Sequence, residues 1–275
     1  MKIIDFYINS SIHVALSCYA LVRMTGFLFH ISDIEVPAFF AFFGTIVGYN
    51  FVKYDALART QKLQMRTQLK AIAFLSFLSF LATAYFFFQL AKITKIIAVL
   101  FLLLTLLYTL PFFPNQKNAR NWAGIKIYIV ALCWVGVTLA LPVMNAGLPI
   151  ETGFFLVGIQ RFILIFVLVL IFEIIDLRYD DPHLKTVPQQ IGVKHTKIVG
   201  SCLLIVLVLL EFLDPDFNLP ALFLKMGVAG TTLLFLLSAN EKKSKYYSAF
   251  WAESIPILWF LLLYAIAYSS ESVFF

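Results

Sequence analysis

Glu173, Asp176 and Asp180 close the sixth long apolar run of this chain. Their spacings of three and four residues put all three carboxylates on one face if a helix continues through 171–180. Negative groups held this close repel one another unless a cation joins them. An oxygen-only set favours magnesium over zinc, and magnesium commonly bridges protein carboxylates to substrate phosphates. The other reading of the same residues is a solvated helix end whose acids pair with Arg178 and Lys185. Asp181 lies off the acidic face, ahead of Pro182, and reads as a turn cap.

These residues must be positioned by a membrane bundle. Of 275 residues, 61% are hydrophobic and 13% charged, far from the usual soluble balance. Nine apolar segments can be drawn, at 10–29, 34–50, 69–89, 94–113, 122–144, 153–175, 196–213, 219–238 and 249–269. Most approach the roughly 20 residues a helix needs to cross the hydrocarbon layer. The runs are apolar on both parities, which excludes the alternating pattern of a barrel. The expected fold is an all-α polytopic bundle of nine transmembrane helices forming a single domain over 1–275.

Basic residues set the orientation. Sixteen of the 21 lysines and arginines fall in the N-terminal tail and the even-numbered loops, against Lys92 and Lys95 on the opposite side. The positive-inside rule then places the N-terminus in the cytoplasm and the C-terminus outside, with a bacterial inner membrane as the expected location. The first run reads as a membrane segment rather than a cleavable signal. The net charge of +6 is spread over short separated loops, which argues against a nucleic-acid partner. Cys18, Cys133 and Cys202 have no metal-ligand spacing.

The acidic pattern, Glu173-Ile-Ile-Asp176-Leu-Arg-Tyr-Asp180, is followed by Lys185-Thr186-Val187-Pro188 and Ile191-Gly192. It resembles the second aspartate-rich motif of the UbiA superfamily of intramembrane prenyltransferases, although glutamate replaces the first aspartate and the interval to the basic segment is one residue shorter. Leu107-Tyr108-Thr109-Leu110-Pro111, then Lys117, Arg120 and Gly124-Ile125-Lys126, is similar to that family's connection between its fourth and fifth helices. The first motif of the family, N-x-x-x-D-x-x-x-D, departs here. Asn50 aligns, but Tyr54 and Ala58 stand at the two aspartate positions, and Asp55 is displaced by one residue.

The resemblance implies a magnesium-dependent transfer of an isoprenyl group from a polyprenyl diphosphate to a lipophilic acceptor within the lipid bilayer. Glu173, Asp176 and Asp180 are its expected catalytic and metal-binding residues. Asn50, Lys53, Arg59, Lys117, Arg120, Lys126 and Lys185 are expected around the diphosphate, with Asp55 as a further candidate. Arg23 and Arg161 lie deeper in apolar runs and are candidate pocket residues. The altered first motif favours a second reading, a nonenzymatic isoprenoid-lipid binder or membrane scaffold built on the same fold. A secondary transporter using the buried charges is a third, and requires opposed gates or repeat-related broken helices.

Overall fold

The computed structural model describes residues 3–60, 67–109, 124, 126–180, 184–215 and 217–271, with backbone alone at 55–60, 67, 107–109 and 267–271. Hydrocarbon offers the backbone no hydrogen bonds, so each apolar run closes its own as a helix. In chain order these are α1 Ile3–Asn9, α2 Ile12–Leu28, α3 Glu35–Thr60, α4 Thr67–Gln89 and α5 Lys92–Thr109. Then come α6 Lys126–Val135, a π-helical stretch Gly136–Ala140 and α7 Leu141–Asn145, which together make one span. The chain continues with α8 Thr152–Asp176, α9 Val187–Leu209, α10 Leu219–Ser238, a second π-helical stretch Tyr247–Ala252, and α11 Ile255–Glu271.

Among the described residues seven helices are long and apolar enough to cross a membrane, or eight where the α1–α2 pair, bent by 61°, is counted as one span. The protein is therefore an integral membrane protein of all-α class. The nine-span expectation is not reached, because α5, which covers the fourth apolar run, is not among those eight and leads into residues outside the description.

α8 is apolar on every side and so takes the middle of the bundle. Leu164, Val167, Leu170, Ile171, Ile174 and Ile175 have no accessible surface. The helix packs against α6, α9 and α10. By contrast α4 and α5 turn Phe74, Phe77, Phe88 and Leu100 outward. Lipid tails are as apolar as leucine, so such exposure carries little penalty in a bilayer.

Both π-helical stretches lead into prolines. Pro142 has no N–H to donate to the Thr138 carbonyl four residues earlier, and its ring crowds that turn. The freed carbonyl is captured from outside the helix, by Thr25 Oγ1 at 2.6 Å and Arg161 Nη1 at 2.7 Å. Gly136, at the start of this stretch, lies directly under the Phe101 ring; a Cβ there would stand 1.8 Å from Phe101 Cζ. Pro256 follows the second stretch at the same offset from Ala252.

Two helices extend beyond the apolar runs that announced them. α3 continues to Thr60 instead of stopping near 50. α9 starts at Val187 rather than 196 because Gln189 Oε1 accepts the Thr186 N–H at 3.0 Å and Pro188 sits in the first turn, where its missing donor is harmless. Its interior is interrupted at Gly192, with φ 77° and ψ 157°, a backbone region open essentially only to glycine.

Candidate active site at one end of the bundle

α8 ends at Asp176, yet the Asp180 N–H donates to the Asp176 carbonyl at 2.9 Å. That bond from i to i−4 spans the turn that follows the helix and brings Asp180 back over its end. Glu173 is 3% exposed, and its Oε2 accepts the Val187 N–H at 3.1 Å. The bond ties the end of α8 to the first turn of α9. Gly192 separates that turn from the rest of α9 and lets it face Glu173.

The charges around this face are mixed. Asp180 acts electrostatically on both Asp176 and Glu173, while Lys126 at the start of α6 faces Glu173 and Asp176, and Lys245 faces Asp176. Arg178 lies 4.6 Å over the Tyr179 ring and donates to its hydroxyl. Lys245 covers the same ring at 4.8 Å. Asp180 Oδ2 is buried with no hydrogen-bond partner among the described residues.

Among the described residues no three His, Cys, Asp or Glu side chains converge into a metal-holding group. Glu173 is committed to the α9 backbone. Asp176 and Asp180, with one carboxylate oxygen orphaned, fit a magnesium ion that takes one or two protein carboxylates and completes its shell with water and substrate phosphate.

A second polar cluster occupies the junction of α1, α2, α3 and the last span. Ser11, in a left-handed conformation with φ 62°, makes the bend between α1 and α2. Asn50 staples that bend: its Oδ1 accepts from Ser11 Oγ at 2.8 Å, and its Nδ2 donates to the Ser10 carbonyl at 3.0 Å and Ser76 Oγ at 2.9 Å. Lys53 Nζ donates to Ser11 Oγ at 3.0 Å and reaches the Ile8 carbonyl at 3.5 Å. Tyr54 donates to the Asn9 carbonyl at 2.9 Å. Across the junction, His13 meets the Tyr7 hydroxyl at 2.8 Å through Nδ1 and the Phe250 carbonyl at 2.9 Å through Nε2. Ser17 donates to the Glu253 carbonyl, and the Glu253 side chain faces Lys53 and Tyr7 electrostatically.

A bundle with its central apolar helix ending in an acidic face can be compared with solved membrane proteins. An apo structure of a UbiA homologue from Aeropyrum pernix K1 superposes with a TM-score of 0.66 at 14% identity, covering 94% of this chain and 98% of the other. The chain has a UbiA-like fold. A structure of digeranylgeranylglyceryl phosphate synthase superposes with a TM-score of 0.56 at 15% identity, over 95% of this chain and 98% of that one. No family model and no curated protein matches the sequence. At these identities the likeness carries the fold alone.

Within the UbiA-like bundle the expected site residues divide into groups. Glu173, Asp176, Asp180 and Lys126 come together at one end. Asn50 and Lys53 lie in the second cluster, with the Asn50 amide bonded to Ser10 and Ser11 at the α1–α2 bend and to Ser76 on α4. Lys185 is exposed, in a left-handed conformation with φ 47° just before α9. Arg59 and Asp55 lie on the last turns of α3, where the side chains are outside the description, and Lys117 and Arg120 lie outside the described residues altogether. Arg23 pairs with Glu35, at the end of α2 away from α1. Arg161 is 0% exposed, held by Thr25 and by the carbonyl that Pro142 frees, twelve residues or roughly 18 Å along α8 from Glu173.

Sequence reasoning passed over Lys245 and Glu253. Lys245 counted only toward orientation. Glu253 is an acid inside the last apolar run, and an ionisable group at such a position is itself a signal of function.

Proposed function

We propose that the protein transfers an isoprenyl group from a polyprenyl diphosphate to a lipophilic acceptor, with the diphosphate headgroup held at the acidic end of α8. The observation that carries this reading is the run of acids at one end of a UbiA-like bundle, with a buried Asp180 oxygen that has no hydrogen-bond partner among the described residues. Asp176 and Asp180 would hold magnesium, which supplies positive charge against the leaving diphosphate. Glu173 orients the end of α8 through its bond to Val187 N–H. Lys126 and Lys245 add fixed positive charge beside the carboxylates, where negative charge develops as the carbon–oxygen bond breaks. The apolar residues behind Glu173 exclude water from the allylic carbon until the acceptor attacks it.

In this reading the acid end faces the cytoplasm of a bacterial inner membrane, since the loops beside it hold most of the bases. Arg59, Lys117, Arg120 and Lys185 are the further bases offered to the headgroup, with Asp55 as an additional acid.

One arrangement favours a second reading, an isoprenoid-lipid binder without turnover. Asn50 and Tyr54, at two of the first-motif positions, spend their polar groups on α1 and its bend, and Ala58 offers none. Binding of geranylgeranyl diphosphate to the protein in nanodiscs, with and without magnesium, tests the site common to both. Magnesium-dependent binding is expected in the wild type and is expected to be lost in Asp176→Asn and Asp180→Asn. Wild-type affinity in both variants sinks the proposed site, and release of diphosphate in the presence of quinone precursors or lipid alcohols separates enzyme from binder.

A further inference from the structure

α4 and α5 are joined by a short turn yet pack on different neighbours, α4 on α3 and α5 on α6 and α7. Beside that turn lies a groove of about 270 Å³, lined by Phe87 of α4 and by Lys95, Ile96, Val99 and Leu100 of α5. The Ala91 N–H, in the turn, donates to Asn145 Oδ1 at the end of α7 at 2.9 Å. α8 starts soon after that point and carries its acids at its other end, so the groove lies at the end of the bundle away from the acidic site.

Polarity along the groove is ordered. Its α5 residues recur at intervals of three and four and so share one face of the helix. Lys95 stands in the first turn, and Leu100, five residues on, lies about 7.5 Å deeper along the helix. Phe87 packs against the small core cluster of Leu90, Ala98 and Leu141, while Ile96, Val99 and Leu100 are exposed on the outer surface. Lys95 is the one charged side chain lining the groove. It is half-buried, and no ion pair among the described residues includes it. At the edge of a bilayer such a side chain lays its stem along apolar surface and its ammonium among the headgroups, where lipid phosphates are the counter-ions.

We propose that this groove holds one acyl chain of an anionic phospholipid, with Lys95 paired to the lipid's phosphate. The lipid has the same order of polarity as the groove: a charged head at the interface and an apolar chain running inward. A concave wall meets a chain on more than one side, which gains dispersion contacts that a flat helix face does not offer. A zwitterionic headgroup carries a cation of its own, which opposes the ammonium. Lys95 therefore selects net negative charge, and the apolar residues select a chain. Phe101, which follows Leu100, is the ring seated on Gly136, so the lipid lies behind the contact that joins α5 to the first π-helical stretch. The site is independent of the acids and of the reaction proposed for them.

Native mass spectrometry of the full chain in a neutral detergent, titrated with phosphatidylglycerol and with phosphatidylcholine of matched chains, tests the site. The wild type is expected to take up one phosphatidylglycerol roughly fivefold more tightly than phosphatidylcholine, the size of one lysine's attraction to anionic lipid. Lys95→Met is expected to remove the preference and Lys95→Arg to keep it. Lys92→Gln, exposed and outside the groove, is expected to leave it unchanged. Val99→Trp fills the groove and keeps the ammonium, and is expected to weaken uptake of both lipids. Equal binding of the two lipids by the wild type overturns the pairing with Lys95. So does an equal loss of preference in Lys92→Gln and Lys95→Met, which would assign the attraction to surface charge at large. Unchanged uptake in Val99→Trp overturns the groove as the seat of the chain.

Discussion

Replacing Arg161 with methionine tests how the bundle tolerates a buried cation. The guanidinium is fully enclosed, with Nη1 within 2.7 Å of both Thr25 Oγ1 and the Thr138 carbonyl, and Nε and Nη2 carrying no partner among the described residues. Hydrogen bonds to a charged group contribute about 1.5–3 kcal/mol each, so the two short ones are worth at most about 6 kcal/mol. Desolvating an ion costs several kcal/mol even after relaxation, and no carboxylate among the described residues pairs with this one. The Thr138 carbonyl keeps Thr25 Oγ1 as a donor after the substitution, so the variant leaves no orphaned carbonyl. The two sides nearly cancel, and Arg161→Met is expected within about 2 kcal/mol of the wild type, on either side of it. Reversible unfolding in mixed micelles, read by tryptophan fluorescence, measures the difference. A loss above about 4 kcal/mol refutes the reasoning, because it requires strong partners on the Nε and Nη2 edge that the described residues do not supply.

Lys225→Met is expected to be far more damaging, by about 3–5 kcal/mol in the same assay, because it strands the buried Glu211 carboxylate that Gln160 alone would then serve. Adding Glu211→Leu is expected to restore most of that loss, and failure to do so would mean the pair is not an isolated unit. Gly192→Ala is expected to destabilise by about 1–3 kcal/mol, since φ 77° with ψ 157° strains any side chain although nothing lies within 4 Å to obstruct one. The same variant is expected to weaken magnesium-dependent diphosphate binding by shifting the α9 turn that holds Glu173; unchanged stability and binding would show that the kink is dispensable.

Much of the architecture was legible from hydropathy because a bilayer imposes a local rule. A segment of sufficient apolar length becomes a helix whatever its neighbours do, and the apolar runs reappear as α2 to α11 with shifted ends. The ends moved where a cap or proline, rather than apolarity, sets the boundary, as at Thr186 and Pro188. The acidic spacing was legible in the same local way, since three and four residues mean one face on any helix, while the helix itself ends at Asp176 with the Asp180 N–H still donating to the Asp176 carbonyl.

Sequence could not assign the partners of those residues. Asn50 read as a diphosphate contact, and in the fold it staples Ser10, Ser11 and Ser76, residues brought together from α4 and the α1–α2 bend. Arg161 read as a possible pocket residue, and its place is set by a carbonyl that Pro142 frees on another helix. Hydropathy thus determined by itself that this chain is an all-α membrane bundle, because it depends on neighbours within a few turns. Only the tertiary structure decided that Lys245 faces Asp176 and Glu253 faces Lys53, because charges act through space between helices whose packing order no single run encodes.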